Sequence, residues 1–508
     1  MSNNTTKRLS REEIAKLEIG HTEVALSQQW ALLLFFIIFI SVYPICQFIA
    51  DPPVRHWSNA GDIQKSIKAY ETAIEDTSLL RRFLLEPAQR FLVKVLHSGN
   101  EKVIIGKDKW LFFAGDYEYL LNPGFMKADF QRKRALKGVQ PDAVKAILDF
   151  NSQLQKRGIK LIVLPVPSKP VIYSDKLGAK SYPQQNPSFD TFKSALAEAG
   201  VMVIDLTDDF AAMRRCNQEP YLKTDTHWTP EGMELAAGKL AAAIQKNTPQ
   251  ESAAAGKSSQ VTALGDIAVM LNLGDCEKFF PAETVAVKDY KSSMQSSSQV
   301  LLLGDSFANI YSLQAMKWGE NGGLAEALSM YLNSPVDRIL RNDAGAFATR
   351  NLLSSELKRG RDRLAGKKFV VYEFAMRELA NGDWKMLDMT LAPKPETKFL
   401  TIDKSQVVSG TVLAVTAVPR PNSAPYKDHV MSIHLGDVNG TCDEMLIYAV
   451  SMRDNVWSNA ARLRVGDSVK LQLQPWSEAE KLYGGWNRSE FEDEELLLAE
   501  PAFGELSK

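Results

Sequence analysis

The sequence predicts an α/β domain on a parallel sheet with helices on both faces. One transmembrane helix precedes it and a small all-β domain follows. Three observations carry that expectation. An uncharged apolar run lies near the N-terminus. A middle region alternates apolar strand-length runs with amphipathic helix-length stretches. After Pro393-Lys394-Pro395 the pattern changes to short β-like runs separated by turns. Apolar strands alternating with helices are buried on both faces, as in a parallel sheet.

Composition narrows the function classes. Hydrophobic residues make up 45% and charged residues 24%, so this is a globular chain with ample material for a core. Its 508 residues suit roughly two to four domains. The net charge of −1 offers no basic field, so nucleic acid is not expected as a partner. The cysteines are Cys46, Cys216, Cys276 and Cys442, with no CxxC pair and no HExxH, so no metal site of familiar spacing and no cofactor are expected.

The apolar run decides the compartment. No charge occurs from Val24 to Ala50, and about 20 apolar residues suffice to cross a bilayer. A cleaved signal peptide would end in a small-x-small site, which "VYPICQFIAD" lacks, and a lipidated Cys46 would follow small residues rather than Pro44-Ile45. The expectation is therefore a short cytoplasmic segment at 1–28 and an uncleaved anchor at 29–50. Lys7, Arg8, Arg11 and Lys16 precede the anchor, against Arg55, Lys65 and Lys68 after it. This slight bias favours an exported remainder, in a bacterium a periplasmic one held at the inner membrane. Thiols can pair there, and Cys216 and Cys276 are the two that could do so.

Residues 51–102 read as membrane-proximal helices, with helical spacing over 61–98 broken at Pro87. Residues 103–394 form the α/β domain. "KVIIGKDKWLFFAGD" reads as a hairpin around Gly106-Lys107-Asp108. "IKLIVLPVP", "VMVIDL", "QVLLLGDS" and "KKFVVYEFA" read as strands. "PDAVKAILDFNSQLQKRG", "FDTFKSALAEAG", "PEGMELAAGKLAAAIQK", "ANIYSLQAM" and "RNLLSSELKRGRDRLAG" read as helices, and 247–262 as a polar loop. In 395–508, "SQVVSGTVLAVTAV", "HVMSIHLGDV", "MLIYAVSMRD" and "DSVKLQLQPW" predict four or five strands, an OB-like barrel or a sandwich. Its Trp457, Trp476, Tyr483 and Trp486 could stack on sugar rings or fill a core, and "EFEDEELLLAE" disfavours an anionic polymer nearby.

Two short stretches carry chemistry. In "KTDTHWTPEGM", Thr229 and Pro230 are ordinary helix-entry residues. That leaves Asp225, His227 and Trp228 without a reason. In "QVLLLGDSF" a strand runs into Ser306 at a helix start, the place where sites lie in doubly wound sheets and where backbone N–H groups favour an oxyanion. Serine is a weak nucleophile until a base takes its proton, and a third group must orient that base. Asp225 and His227 supply both from one loop.

Together these stretches resemble the SGNH hydrolases. "DTHWTPEGM" with a downstream "GDSF" looks like the alginate O-acetyltransferase family (AlgJ/AlgX-like, DHHW-type). "GKDKWLFF", "PVPSKPVIY" and "YEFAMREL" extend the likeness over about 100–385. Ordinary SGNH hydrolases place the serine first and use D-x-x-H, whereas here Asp225-x-His227 comes first, an order similar to that acetyltransferase family. The resemblance implies Ser306 as the acetyl-carrying nucleophile, His227 as general base and acid, and Asp225 as its orienting group. It also implies a polysaccharide acceptor and a membrane-bound O-acyltransferase partner as acetyl donor. The Ser306 N–H is one oxyanion donor; no second is identified. Lys169 and Arg377 fall in matching motifs, as substrate-binding groups or as structural ion pairs. Trp228 and Trp110 are expected to pack. The same triad would also serve a carbohydrate acetyl esterase, and a non-catalytic scaffold of a polysaccharide complex is the third reading.

Overall fold

The computed structural model describes residues 10–11, 14, 25–50, 79–245, 257–290, 295–342, 344–393, 399–419, 421, 426–491 and 493–506. The expectations for 51–78 and for most of 1–28 lie outside these residues. The chain divides into two compact units, Met1–Leu84 and Leu85–Lys508.

The first unit contains a helix, Leu26–Ala50, whose stretch Leu26–Cys46 is long and apolar enough to cross a membrane. It starts three residues before the expected anchor. Trp30, Leu34 and Phe35 on it are exposed, a surface that water does not favour. A helix Leu79–Val95 runs through Pro87, where a break was expected. Proline removes one amide donor from a helix. Here Val93, packed with Val103 and Leu111, holds the later turns in place.

In the second unit, β1 (Val103–Ile105) and β2 (Leu111–Phe113) form the expected antiparallel hairpin. The strands β3 (Lys160–Val166) and β4 (Met202–Val203) follow. Next come β5 (Ser258–Ala263) and β6 (Glu283–Lys288), an antiparallel pair. β5 corrects the reading of 247–262 as wholly loop: "SSQVTA" is too polar to announce a strand, because it is stabilised by its partner rather than by burial. β7 (Val300–Gly304), β8 (Asp337–Leu340) and β9 (Phe369–Ala375) complete a five-stranded sheet in the order β4-β3-β9-β7-β8, every pair parallel. Every residue of β7 is buried, as its unbroken apolar run requires. Helices Ala143–Gln155, Phe189–Glu198 and Pro230–Gln245 stand where their periodicity put them, whereas the helix expected over 350–366 is Ala348–Lys358 and ends before Gly360, whose φ of 76° breaks it. Ile147, Phe150, Phe192, Leu196 and Leu353 join the core of the sheet. "ANIYSLQAM" corrects differently. Only one helical turn, Ser306–Asn309, and a 3₁₀ turn, Gln314–Met316, form there. The chain leaves the helix so that Leu313 and Ala315 pack on aromatics of the C-terminal lobe.

That lobe holds β10 (Gln406–Val415), β11 (His429–Gly436), β12 (Met445–Arg453), β13 (Val456–Trp457), β14 (Ser468–Pro475), β15 (Asn487–Arg488) and β16 (Ala502–Leu506). Around the ring the strands run β10, β11, β12, β16, β14 and back to β10, so the sheet closes into a barrel. Val412, Ile433, Ile447 and Leu471 fill it. Trp476 and Tyr483 are buried with Phe503, which favours the core reading for them; Trp486 packs in the same cluster but also reaches the wall of a cleft, and Trp457 is half-buried and donates to the Pro419 carbonyl at 2.8 Å.

Cys216 and Cys276 do not pair. Cys216 is exposed at the end of helix Thr207–Arg215, while Cys276 is buried and donates to the Ala268 carbonyl at 3.0 Å.

Candidate active site

β7 ends in a turn with no room to spare. A Cβ on Gly304 would stand 2.7 Å from the Ala308 Cβ and 2.9 Å from Glu373 Oε2. Asp305 then clasps the turn to β9. Its N–H donates to Glu373 Oε2 at 2.8 Å, while its carboxylate accepts from Phe307 N at 2.9 Å and Ala375 N at 2.7 Å. Burial, with Asp305 beside it, pushes the Glu373 carboxyl well above the usual range. The Asp of "GDS" is thus a fastener, and Ser306 is the first residue of the turn it fastens.

The second loop is pinned at both ends. Leu222 N donates to the His227 carbonyl at 3.1 Å and Thr229 N to the Pro220 carbonyl at 2.9 Å. Thr229 Oγ1 accepts from Gly232 N at 3.2 Å, as a helix-entry residue should. Trp228 does more than pack. It is fully buried, its Nε1 donates to the Phe307 carbonyl at 3.0 Å, and its own carbonyl accepts from Tyr311 OH at 2.7 Å. Trp228 therefore ties the histidine loop to the serine turn.

The consequence is a relay. His227 Nε2 lies 2.8 Å from Ser306 Oγ, and Nδ1 lies 2.6 Å from Asp225 Oδ1. Asp225 takes four donors. Oδ1 accepts from His227 Nδ1 and from His227 N at 3.0 Å; Oδ2 accepts from Trp318 Nε1 and Asp266 N, each at 3.0 Å. With both carboxylate oxygens doubly held, the imidazole tautomer with its proton on Nδ1 is the one this arrangement favours. Burial raises the Asp225 carboxyl, but the His227 hydrogen bond and charge outweigh it and hold it at about 2. Burial likewise lowers His227, but the Asp225 bond and the charges of Asp225, Asp266 and Asp305 win, so its pKa lies above the ordinary value.

Trp318 and Asp266 were not found from sequence. Trp318 lies in the irregular stretch "KWGENGG", 93 residues from Asp225, with no periodicity to mark it. Asp266 in "LGDIAV" reads as a plain helix entry, and its bond to Asp225 comes from a backbone N–H that any residue but proline supplies. Gly265 gives the better local signal: a Cβ there would fall 2.2 Å from the Thr224 carbonyl oxygen, so the two loops meet backbone to backbone. Asp266 Oδ1 accepts from Thr226 N at 2.7 Å, and Oδ2 lies 4.0 Å from His227 Nδ1. Burial and the Asp225 charge push Asp266 up to about 7. The Asp266 charge is one of those that raise His227, so Asp266→Asn should lower the His227 pKa to the extent that Asp266 is ionised where His227 titrates. The acid limb of the kcat/KM profile, where His227 must be neutral to act as base, is expected to move to lower pH; an unmoved limb would mean Asp266 does not act on His227.

The two binding candidates separate. Arg377 lines the cleft above Ser306, with Nη1 3.2 Å from Asp116 Oδ1 and its guanidinium over the Phe113 ring. Lys169 is a correction. It is 1% exposed, and Nζ donates to the carbonyls of Leu111 at 2.7 Å, Lys223 at 3.0 Å and Asp225 at 2.9 Å. An ammonium has three donors, and here all three are used on backbone. Lys169 lies under the aspartate loop rather than in the cleft. Trp110 is core, stacked on Tyr173 with centroids 4.1 Å apart.

The cleft holds about 430 Å³, with Ser306, His227 and Asp266 among the residues that line it. Phe113, Trp318 and Arg377 come from the α/β lobe, while Tyr426, Lys427 and Trp486 come from the barrel lobe, so both lobes wall it. Asp225, His227 and Asp266 also bring one ligand-type atom each to within 4.8 Å of one another. A cation there would have to displace the 2.6 Å bond that orients His227.

A parallel α/β sheet with Ser, His and Asp in relay beyond its strand ends is an arrangement of serine hydrolases and acyltransferases, the SGNH-hydrolase-like class among them. The chain belongs within it to the SGNH hydrolase-like, AlgX acetyltransferase family, whose profile matches residues 103–376. It is 31% identical over 188 residues to a "Probable alginate O-acetylase AlgJ" of Pseudomonas syringae pv. tomato, covering 37% of this chain and 44% of the relative. It is 27% identical over 256 residues to the protein of the same description in Pseudomonas aeruginosa, covering 46% of this chain and 61% of the relative. The chain thus spans about half the length of these relatives. Among solved structures it resembles the O-acetyltransferase domain of Pseudomonas putida AlgJ, with 21% identity, TM-score 0.40 and coverage of 55% of this chain and 92% of that one. It also resembles AlgX of Pseudomonas aeruginosa, with 13% identity, TM-score 0.38 and coverage of 72% and 90%.

Proposed function

We propose that the chain is a membrane-anchored, periplasmic O-acetyltransferase that acetylates hydroxyls of a polysaccharide through an acetyl-serine at Ser306. The observation that carries this reading is the relay of 2.8 and 2.6 Å lining a cleft walled by both lobes. Ser306 Oγ attacks the acetyl carbonyl as its proton passes to His227 Nε2. The oxyanion faces the Ser306 N–H; the Asn342 amide, whose Oδ1 is held by Asn309 at 2.8 Å, is the cleft-lining group suited to be a second donor. His227 returns the proton to the leaving group. An acceptor hydroxyl then gives its proton to the same nitrogen and attacks the acetyl-serine; the bond to Ser306 Oγ breaks, His227 passes the proton to that oxygen, and the acceptor departs as the ester. Asp225 keeps the ring in register, and Arg377 is the cationic group toward substrate. A membrane-bound O-acyltransferase is the acetyl source on this reading, since an exported domain has no direct access to cytosolic donors. Residues 103–394 carry the chemistry and 395–508 the barrel, which we read as OB-like from its ring order and the parallel β12–β16 pair.

The test uses the purified full chain in detergent, a chromogenic acetyl ester and oligosaccharide acceptors, followed by mass spectrometry. Acetylated oligosaccharide is the expected product. Acetate release indifferent to every acceptor would replace the reading with an esterase. Failure to form an acetyl adduct on Ser306 would overturn both and leave the scaffold.

A further inference from the structure

A concavity of about 1100 Å³, larger than the cleft, takes no part in the chemistry above. Its walls are the second half of helix Leu79–Val95, the β1–β2 turn and the segment 275–280. Arg90, Lys94, Lys107, Lys109 and Lys278 line it, against the acids Asp108 and Asp275. Both acids are already engaged: Asp108 pairs with Lys176 at 2.6 Å, and Asp275 with Lys278 at 2.6 Å and Arg90 at 3.8 Å. Lys94 and Lys107 make no ion pair among the described residues. The turn projects its cations with Asp108 and Lys109 at φ of 56° and 62°, a conformation non-glycine residues seldom adopt.

Apolar side chains stand among these cations. Phe91, Val95 and Leu96 are 56%, 56% and 57% exposed. On the same helix Val93 is buried at 7% in the cluster with Val103 and Leu111. The helix thus grips the body with one side and turns phenylalanine, valine and lysine outward with the other. Exposed apolar residues rimmed by lysine and arginine are the chemistry of a surface that meets an anionic bilayer, apolar groups entering the interface and cations meeting phosphate.

The chain's own layout points to the same occupant. Residues 51–78 separate the apolar helix Leu26–Ala50 from the helix bearing this face, a stretch able to reach roughly 95 Å at most. That reach allows the face to meet the same bilayer the apolar helix would occupy.

We propose that this face docks the catalytic unit onto the anionic headgroup surface of the bilayer that holds its own anchor. The proposal rests on reading Leu26–Ala50 as that anchor. It would keep the cleft at the membrane, where a membrane-borne acetyl donor is at high effective concentration.

The experiment places the full chain in nanodiscs of phosphatidylcholine, with and without phosphatidylglycerol, and follows amide hydrogen exchange by mass spectrometry. Residues 90–97, 107–109 and 275–280 are expected to exchange several-fold more slowly in the anionic discs. High salt, or the triple variant Lys94→Glu, Lys107→Glu and Lys109→Glu, should remove that protection, while β7 and β9 exchange as before and report an intact fold. Equal exchange in both discs overturns the proposal. So does protection that appears only when a purified membrane protein partner is added, which would assign the face to protein. A chain that fails to co-elute with the discs overturns the anchor reading instead, and the two failures are told apart by that elution.

Discussion

Ser306→Ala is expected to abolish acetyl transfer while leaving the fold unchanged. The substitution deletes one oxygen. The residue keeps its place in the turn because Asp305 and Glu373 hold the backbone. His227 loses a 2.8 Å partner on Nε2 but remains fixed through Nδ1 by Asp225, so the ring stays where it was. The expected loss in kcat is on the order of 10⁵–10⁶-fold, the size seen when a triad nucleophile is removed, because the remaining members cannot act without it. Asp225→Asn should cost about 10⁴-fold by presenting the wrong imidazole tautomer. Intact-protein mass spectrometry after exposure to an acetyl ester reads the first result directly: the wild type carries one acetyl group and the variant none. An acetyl adduct persisting in the variant, with an unchanged thermal midpoint, would remove Ser306 from the mechanism.

How much of this was legible depends on where each signal resides. Strands β3, β7 and β9 were readable because strands buried on both faces need unbroken apolar runs. β8 was not, because "DRIL" carries a charge at each of its first two positions: Asp337 is paired with Arg363 and Lys367, and Arg338 with Glu326. Ion pairs formed by residues distant in sequence turn a polar segment into a buried strand, and no local pattern reports them. The site divides the same way. Asp225, His227 and Ser306, the proposed catalytic set, were readable as candidates because the chemistry proposed for them needs one particular side chain at each position. Trp318 and the Asp266 N–H, which hold Asp225, sit on stretches whose only signature is three-dimensional proximity. Lys169 was placed at a strand end with its role left open between substrate binding and a structural ion pair: sequence locates a residue in the topology, but packing decides whether it points into a cleft or, as here, beneath a loop.

That direction has a measurable consequence in Lys169→Met. Methionine keeps an apolar stem but removes all three donors and the charge that Nζ holds 5.2 Å from the Trp110 ring centroid and 5.5 Å from that of Phe112, so the carbonyls of Leu111, Lys223 and Asp225 lose their partner in a dry site. Each orphaned acceptor costs about 1–3 kcal/mol. Relaxation and the relieved burial of an ammonium offset part of that, leaving an expected destabilisation of about 3 kcal/mol and a drop in thermal midpoint of about 5 °C. The pH dependence has a defined sign. Burial lowers Lys169 from 10.5 to about 8, so between these values the unfolded chain holds a proton that the folded chain has released. This residue's contribution to stability therefore rises as pH climbs from about 8 to 10.5 and is lost below about 8. The variant lacks that rise, so its deficit against the wild type should widen across the window. Activity should fall through kcat, because the Asp225 loop loosens, with KM for a soluble acetyl ester little changed. The opposite pattern, an unaltered midpoint with a raised KM for the polysaccharide acceptor, would return Lys169 to the cleft as a substrate-binding residue.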